Sequence, residues 1–89
     1  MDWSNDAKRL LDDIVNSVIP QVFRKEAKED VSKEAEKIAE QRNSSSVDTQ
    51  DVVEAFLKRT PRVFRSIIMN KLKERGFEIK GEIATEGGV

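Results

Sequence analysis

Apolar residues recur at spacings of three and four along most of the chain, so it reads as a succession of amphipathic helices. The longest such stretch runs from Pro20 to Asn43, PQVFRKEAKEDVSKEAEKIAEQRN. Phe23, Ala27, Val31, Ala35, Ile38 and Ala39 form one narrow stripe on this otherwise charged rod. The pattern predicts a central helix of more than ~6 turns, whose stripe other helices must cover.

Ahead of it, Trp3, Ala7, Leu10, Leu11, Ile14, Val15 and Val18 predict a first helix over about residues 4–16, with Asp12 and Asp13 facing away. Ser4 or Asp2 is its candidate cap. Asn16 and Ser17 interrupt the pattern, and two boundaries are sterically allowed. Either the chain turns before Pro20, which disfavours helical geometry at Ile19, or Ser17 caps the long helix with Pro20 in its first turn.

Along the long helix, Lys25 with Glu29 and Glu29 with Lys33 are i, i+4 pairs worth about 0.2–0.5 kcal/mol each, while Glu26 with Asp30 and Glu36 with Glu40 oppose them. Burial of the stripe is therefore the main support expected. Asn43 is a candidate left-handed terminator, followed by a polar loop, Ser44 to Ser46, with Val47 as its one apolar residue. Asp48 reads as the N-cap of a third helix containing Val52, Val53, Phe56 and Leu57, with Asp51 near its positive end.

Thr60 and Pro61 mark the clearest break, a capping hydroxyl and then proline at the first helical position. Val63, Phe64, Ile67, Ile68 and Leu72 are the expected buried face of a fourth helix, which Gly76 stops. Phe77 and Ile79 suit a short extended piece or packing back onto the helices. The expected organisation is a single helical domain over residues 1–80 and a flexible C-terminal tail over residues 81–89. PQVFR at residues 20–24 is echoed by PRVFR at residues 61–65. Two readings stand: a pair of helical hairpins of similar design, or a common helix start with proline and an apolar staple.

Charge changes the picture more than size does. The chain has 89 residues, 37% of them charged, and a net charge of −1. At that length only about 60–65% of the unfolded surface can be buried, so a partner or a second copy is a natural way to complete a thin core. Residues 1–57 hold eight Lys/Arg against thirteen Asp/Glu, residues 58–80 eight against two, and residues 81–89 none against two. Positive charge is thus concentrated late. Lys58, Arg59, Arg62, Arg65, Lys71, Lys73 and Arg75 are the candidate anion- or partner-binding residues, for phosphate, an acidic protein, an anionic membrane surface or tetrapyrrole propionates. A solvated face that offsets the acidic first half is the alternative.

With no His, Cys or Tyr in the sequence, the chain builds no Ser-His-Asp triad, thiolate, imidazole metal site or His-ligated haem. Carboxylate pairs such as Asp12/Asp13 and Glu29/Asp30 lie on faces expected to be wet, and no glycine-rich phosphate loop is present. No catalytic residue, metal or cofactor is expected. Bases have few aromatic rings to stack on, because the four Phe fall on expected apolar faces. Trp3 reads as a lid on the core, and Arg24 and Arg65, each beside a core Phe, as structural partners of nearby acids. No apolar run approaches the ~18 residues that cross a bilayer, the N-terminus has no secretory h-region, and a reducing, cytoplasmic setting is the default.

Trp3, Ala7 and Leu11, then Ile19, Pro20 and Arg24, then Glu36, Ala39, Asn43, Val47 and Ala55 resemble the protochlorophyllide reductase 57 kDa subunit-type (PCP_red) domain, over about residues 3–56. That domain is the small C-terminal module of the B subunit of the light-independent enzyme, and Trp3, Pro20, Arg24, Glu36 and Ala39 carry the motif. The spacing between Pro20 and Glu36 is about one helical turn longer than in that family. Asn43 stands for its usual Gly, and Asp48 for its usual Thr. The resemblance implies an accessory or substrate-covering helical domain in tetrapyrrole reduction, with no catalytic residue in this chain.

A second stretch, Glu34 to Ala55, EAEKIAEQRNSSSVDTQDVVEA, is similar without gaps to the end of the central helix, the second loop and the third helix of archaeal-type histones. It departs in charge, being acidic where DNA-wrapping histones are basic. The combined expectation is an all-α fold: four helices with one long central helix, a histone-like three-helix arrangement plus a C-terminal fourth helix. The expected function is a non-catalytic interaction module with a protein partner or self-association. The alternative is a dimeric histone-fold protein that binds DNA through its basic fourth helix.

Overall fold

A computed structural model of the protein describes residues 1–77. It is mostly helical. Strand β1 (Asp2–Trp3) leads into α1 (Asn5–Val18), a 3₁₀ turn (Gln21–Phe23) opens α2 (Arg24–Gln41), strand β2 (Ser46–Val47) leads into α3 (Thr49–Arg59), and α4 (Arg62–Glu74) follows. The helix order is short, long, short, with a fourth appended. The expected tail, residues 81–89, and Ile79 lie outside the described residues.

Each helix begins and ends for a visible reason. Ser4 caps α1 by accepting the Ala7 N–H at 3.1 Å, so of the two candidates Ser4 serves rather than Asp2. Asp48 and Asp51 form a reciprocal capping box at the start of α3, the Asp48 N–H donating to Asp51 Oδ2 at 2.9 Å. Asn43 has φ 62° and Gly76 φ 90°. Beyond them the N–H of Ser44 reaches the carbonyl of Ala39 at 2.9 Å and that of Phe77 reaches Leu72 at 3.0 Å, so α2 and α4 both end in Schellman turns.

One core joins all four helices. Ala7, Leu10, Leu11, Ile14 and Val15 of α1 meet Val31, Ala35, Ile38 and Ala39 of α2. Val47 of β2, Val52, Val53, Ala55 and Phe56 of α3, and Ile68 and Leu72 of α4 complete it. The stripe of α2 is covered chiefly by α3 and by α1, while α4 packs on α1 and α3 within the same chain.

Several expectations need correction. The loop apolar residue Val47 is a strand residue: Asp2 and Trp3 pair in parallel with Ser46 and Val47, and the Ser4 N–H donates to the Val47 carbonyl at 3.0 Å. Two-residue strands leave no periodicity to read. Phe23 is 57% exposed, because the 3₁₀ turn rotates the start of the stripe off the core. On α4, Val63 is 74% and Ile67 50% exposed, so only Ile68 and Leu72 of its expected face are buried. Pro61 stands one residue before the first turn of α4 and no side chain caps it. Asp12 and Asp13 do not simply face water: Asp12 pairs with Lys28 at 2.7 Å and Asp13 with Arg75 at 3.1 Å.

Candidate functional site

The echo PQVFR/PRVFR marks two copies of one structural joint. In the first, Ile19 leaves α1 at φ −89°, ψ 130° with its N–H on the Val15 carbonyl; in the second, Thr60 leaves α3 at φ −84°, ψ 132° with its N–H on Phe56. Pro20 and Pro61 follow at φ −57°, ψ 145° and φ −56°, ψ 149°. Proline locks its own φ and keeps its predecessor extended, so each pair sets the corner. The arginine four residues on then reaches back. Arg24 Nη2 donates to the Asn16 carbonyl and Arg65 Nη2 to the Leu57 carbonyl, both at 2.9 Å and both eight residues upstream. Arg24 Nε adds the Ile19 carbonyl at 2.9 Å. For Arg24 the expectation of an acidic partner is revised: carbonyls at the negative end of α1 receive its charge, while Arg65 reaches the Leu57 carbonyl of α3 in the same way.

The chain is thus two runs of strand, capped helix, proline corner, helix and Schellman turn, with the strands side by side. α1 has 14 residues and α3 has 11, about one turn fewer.

The two corners line one groove of ≈ 570 Å³. Ile19, Pro20, Phe23 and Ala27 line it from the first joint, and Pro61 and Phe64 from the second. Val22, 78% exposed, and Val63, 74% exposed, precede the two phenylalanines in sequence. Polar residues Glu26, Glu29, Asp30, Lys33 and Arg59 form the margin. Arg59 grips Asp30 with both ends of its fork, Nη2 to Oδ1 at 2.6 Å and Nε to Oδ2 at 3.0 Å. That contact holds the Asp30 carboxyl below its usual range and raises Arg59.

The basic segment does not gather into one cationic face. Lys58 lies 3.9 Å from Glu34, Lys71 3.9 Å from Glu74, Arg59 holds Asp30, Arg75 holds Asp13, and Arg65 is tied to α3. Among the described residues Arg62 and Lys73 make no ion pair. Periodicity alone does not reveal this, because the acids that neutralise the segment lie 24 to 62 residues upstream for Lys58, Arg59 and Arg75.

A second polar cluster escaped the sequence reading. Arg42 Nη2 and Nε hold Asp51 Oδ2 and Oδ1 at 2.6 Å and 2.8 Å, and Nη2 also reaches Asp48 at 3.2 Å. Asp51 is 1% exposed. The Arg42 hydrogen bond, aided by the Asp48 N–H, keeps the Asp51 carboxyl below its ordinary range despite burial. The signal was present: Asp48 and Asp51 stand at capping-box spacing beside Arg42, just before the left-handed Asn43. No group of three or more Asp/Glu among the described residues is placed to hold a metal ion. No described helix is long and apolar enough to cross a membrane.

The residues that suggested the reductase module have structural duties here. The Trp3 indole N–H donates to Glu36 Oε2 at 3.0 Å, Pro20 and Arg24 build the first corner, and Ala39 is fully buried. No curated protein and no solved structure matches the chain. The attribution to the reductase module, and with it the secondary one to histones, is overturned by a different family model that spans residues 1–82, far more than the stretches behind either likeness. The chain belongs to the family described as "Protein of unknown function (DUF2621)".

Proposed function

We propose that this chain is a non-catalytic helical interaction module that docks another protein through the groove between its two proline corners. One observation carries the reading: Ile19, Pro20, Phe23, Pro61 and Phe64 line the groove, and Phe23 is 57% exposed, although the corner backbones beneath them are fixed by proline and by arginine–carbonyl bonds. A rigid apolar patch rimmed by charge is a surface suited to a protein partner. A cytoplasmic setting is part of the proposal. The competing reading, duplex DNA held by the fourth helix, draws on Arg62 and Lys73, and is weakened by the engagement of the other cations with this chain's own groups.

The test is a photo-crosslinking residue placed at Phe23, and for comparison at the exposed Lys8 of α1, in cells that make the protein. Discrete protein adducts from position 23 and none from position 8 are expected. No adduct at 23, or the same adducts from both positions, overturns the docking reading.

A further inference from the structure

We infer that the groove takes an apolar segment of another protein that carries Lys or Arg on its flank, set against Glu26 and Glu29. The inference rests on the docking reading and names the chemistry of the partner.

The charges that line the groove are Glu26, Glu29, Asp30, Lys33 and Arg59. Asp30 and Arg59 are spent on each other, because both carboxylate oxygens accept from the one guanidinium. Glu26 and Glu29 are exposed and make no ion pair among the described residues. They flank Ala27 on the first turns of α2, just after Phe23. Lys33, one turn beyond Glu29, is the opposing charge at the far end of the α2 wall.

A segment that covers Phe23, Ala27 and Phe64 also takes water away from the two carboxylates beside them. Desolvating a carboxylate is costly unless a cation meets it, and a Lys or Arg on the incoming segment supplies that cation. An acidic or uncharged segment leaves Glu26 and Glu29 unpaired, and nucleic acid or an anionic lipid surface sets phosphates against them. The margin thus selects by sign among partners that the apolar floor alone would accept. It also sets direction: the basic flank faces the corner end of α2, away from Lys33.

The test carries the crosslink from position 23 through to the attached segment, sequenced by mass spectrometry of the digested adduct. Apolar residues with a Lys or Arg within about one helical turn of the attachment point are expected. Glu26→Lys with Glu29→Lys should lower the adduct yield about tenfold or more, with helical circular dichroism unchanged because both side chains are exposed. Glu40→Lys, at an exposed position of α2 outside the groove, should leave the yield unchanged. Replacing the partner's basic residues by Glu should restore the adduct of the double variant. An adduct that survives the double reversal, or an attached segment that lacks Lys and Arg or belongs to this chain, overturns the inference while docking survives. No adduct at all from position 23 overturns the docking reading, and the inference with it.

Discussion

At the scale of single residues, Asp51 bears the most concentrated polar energetics. Its carboxylate is buried, closes the capping box of α3 and receives the Arg42 fork. Asp51→Ala removes all three contacts and should cost about 2–3 kcal/mol, combining a lost cap with charged hydrogen bonds; urea unfolding at neutral pH measures it. The sign of the pH dependence follows from the lowered folded pKa. In the unfolded chain the group titrates near ~3.9, so below that pH the unfolded state binds more protons and stability falls as pH drops through the folded pKa. Acid should therefore destabilise the wild type more steeply than Asp51→Asn, and parallel pH profiles for the two would contradict this account. Gly76 offers a second residue-scale test. At φ 90° with no atom near a built Cβ, Gly76→Ala suffers only backbone strain. It should lose about 1 kcal/mol, whereas Asn43→Gly should be neutral or slightly stabilising.

At the scale of elements, helix starts and stops were legible because capping chemistry is local. Ser4, Asp48, Asn43 and Gly76 each act within four residues of themselves, whereas Thr60 ends α3 without its hydroxyl capping α4. What was not legible depends on distant partners. Phe23, Val63 and Ile67 fit a helical period as well as Ile38 or Ile68 do, yet a period says which face a residue shares and not whether another helix arrives there. The charges of α2 show the same limit. Lys28, Asp30 and Glu34 pair with Asp12, Arg59 and Lys58 on neighbouring helices instead of along their own. The groove could be anticipated in part from the repeated PxVFR; that both copies line it together could not. Because Arg24 ties the first corner through two carbonyls, Arg24→Met should destabilise by about 1–2 kcal/mol. No loss in denaturant unfolding would show that these bonds do not hold the corner.

At the scale of the whole molecule, one core draws on every helix, so unfolding should be a single event. Trp3, the one tryptophan, is half-buried between β1 and α2, and its fluorescence reports the place where the start of the chain meets the middle. Its transition should coincide with loss of far-ultraviolet helical signal, and separate midpoints would show the two runs melting independently. The pairing of β1 with β2 also bears on how the chain leaves the ribosome. Asp2 and Trp3 are made more than forty residues before their strand partners Ser46 and Val47, and the stripe of α2 waits for Val52, Val53 and Phe56. The first run therefore emerges with an unmatched edge and an uncovered face, and it must wait for the second before either is complete. Although the architecture is built as a tandem, its synthesis ends in one late, joint closure.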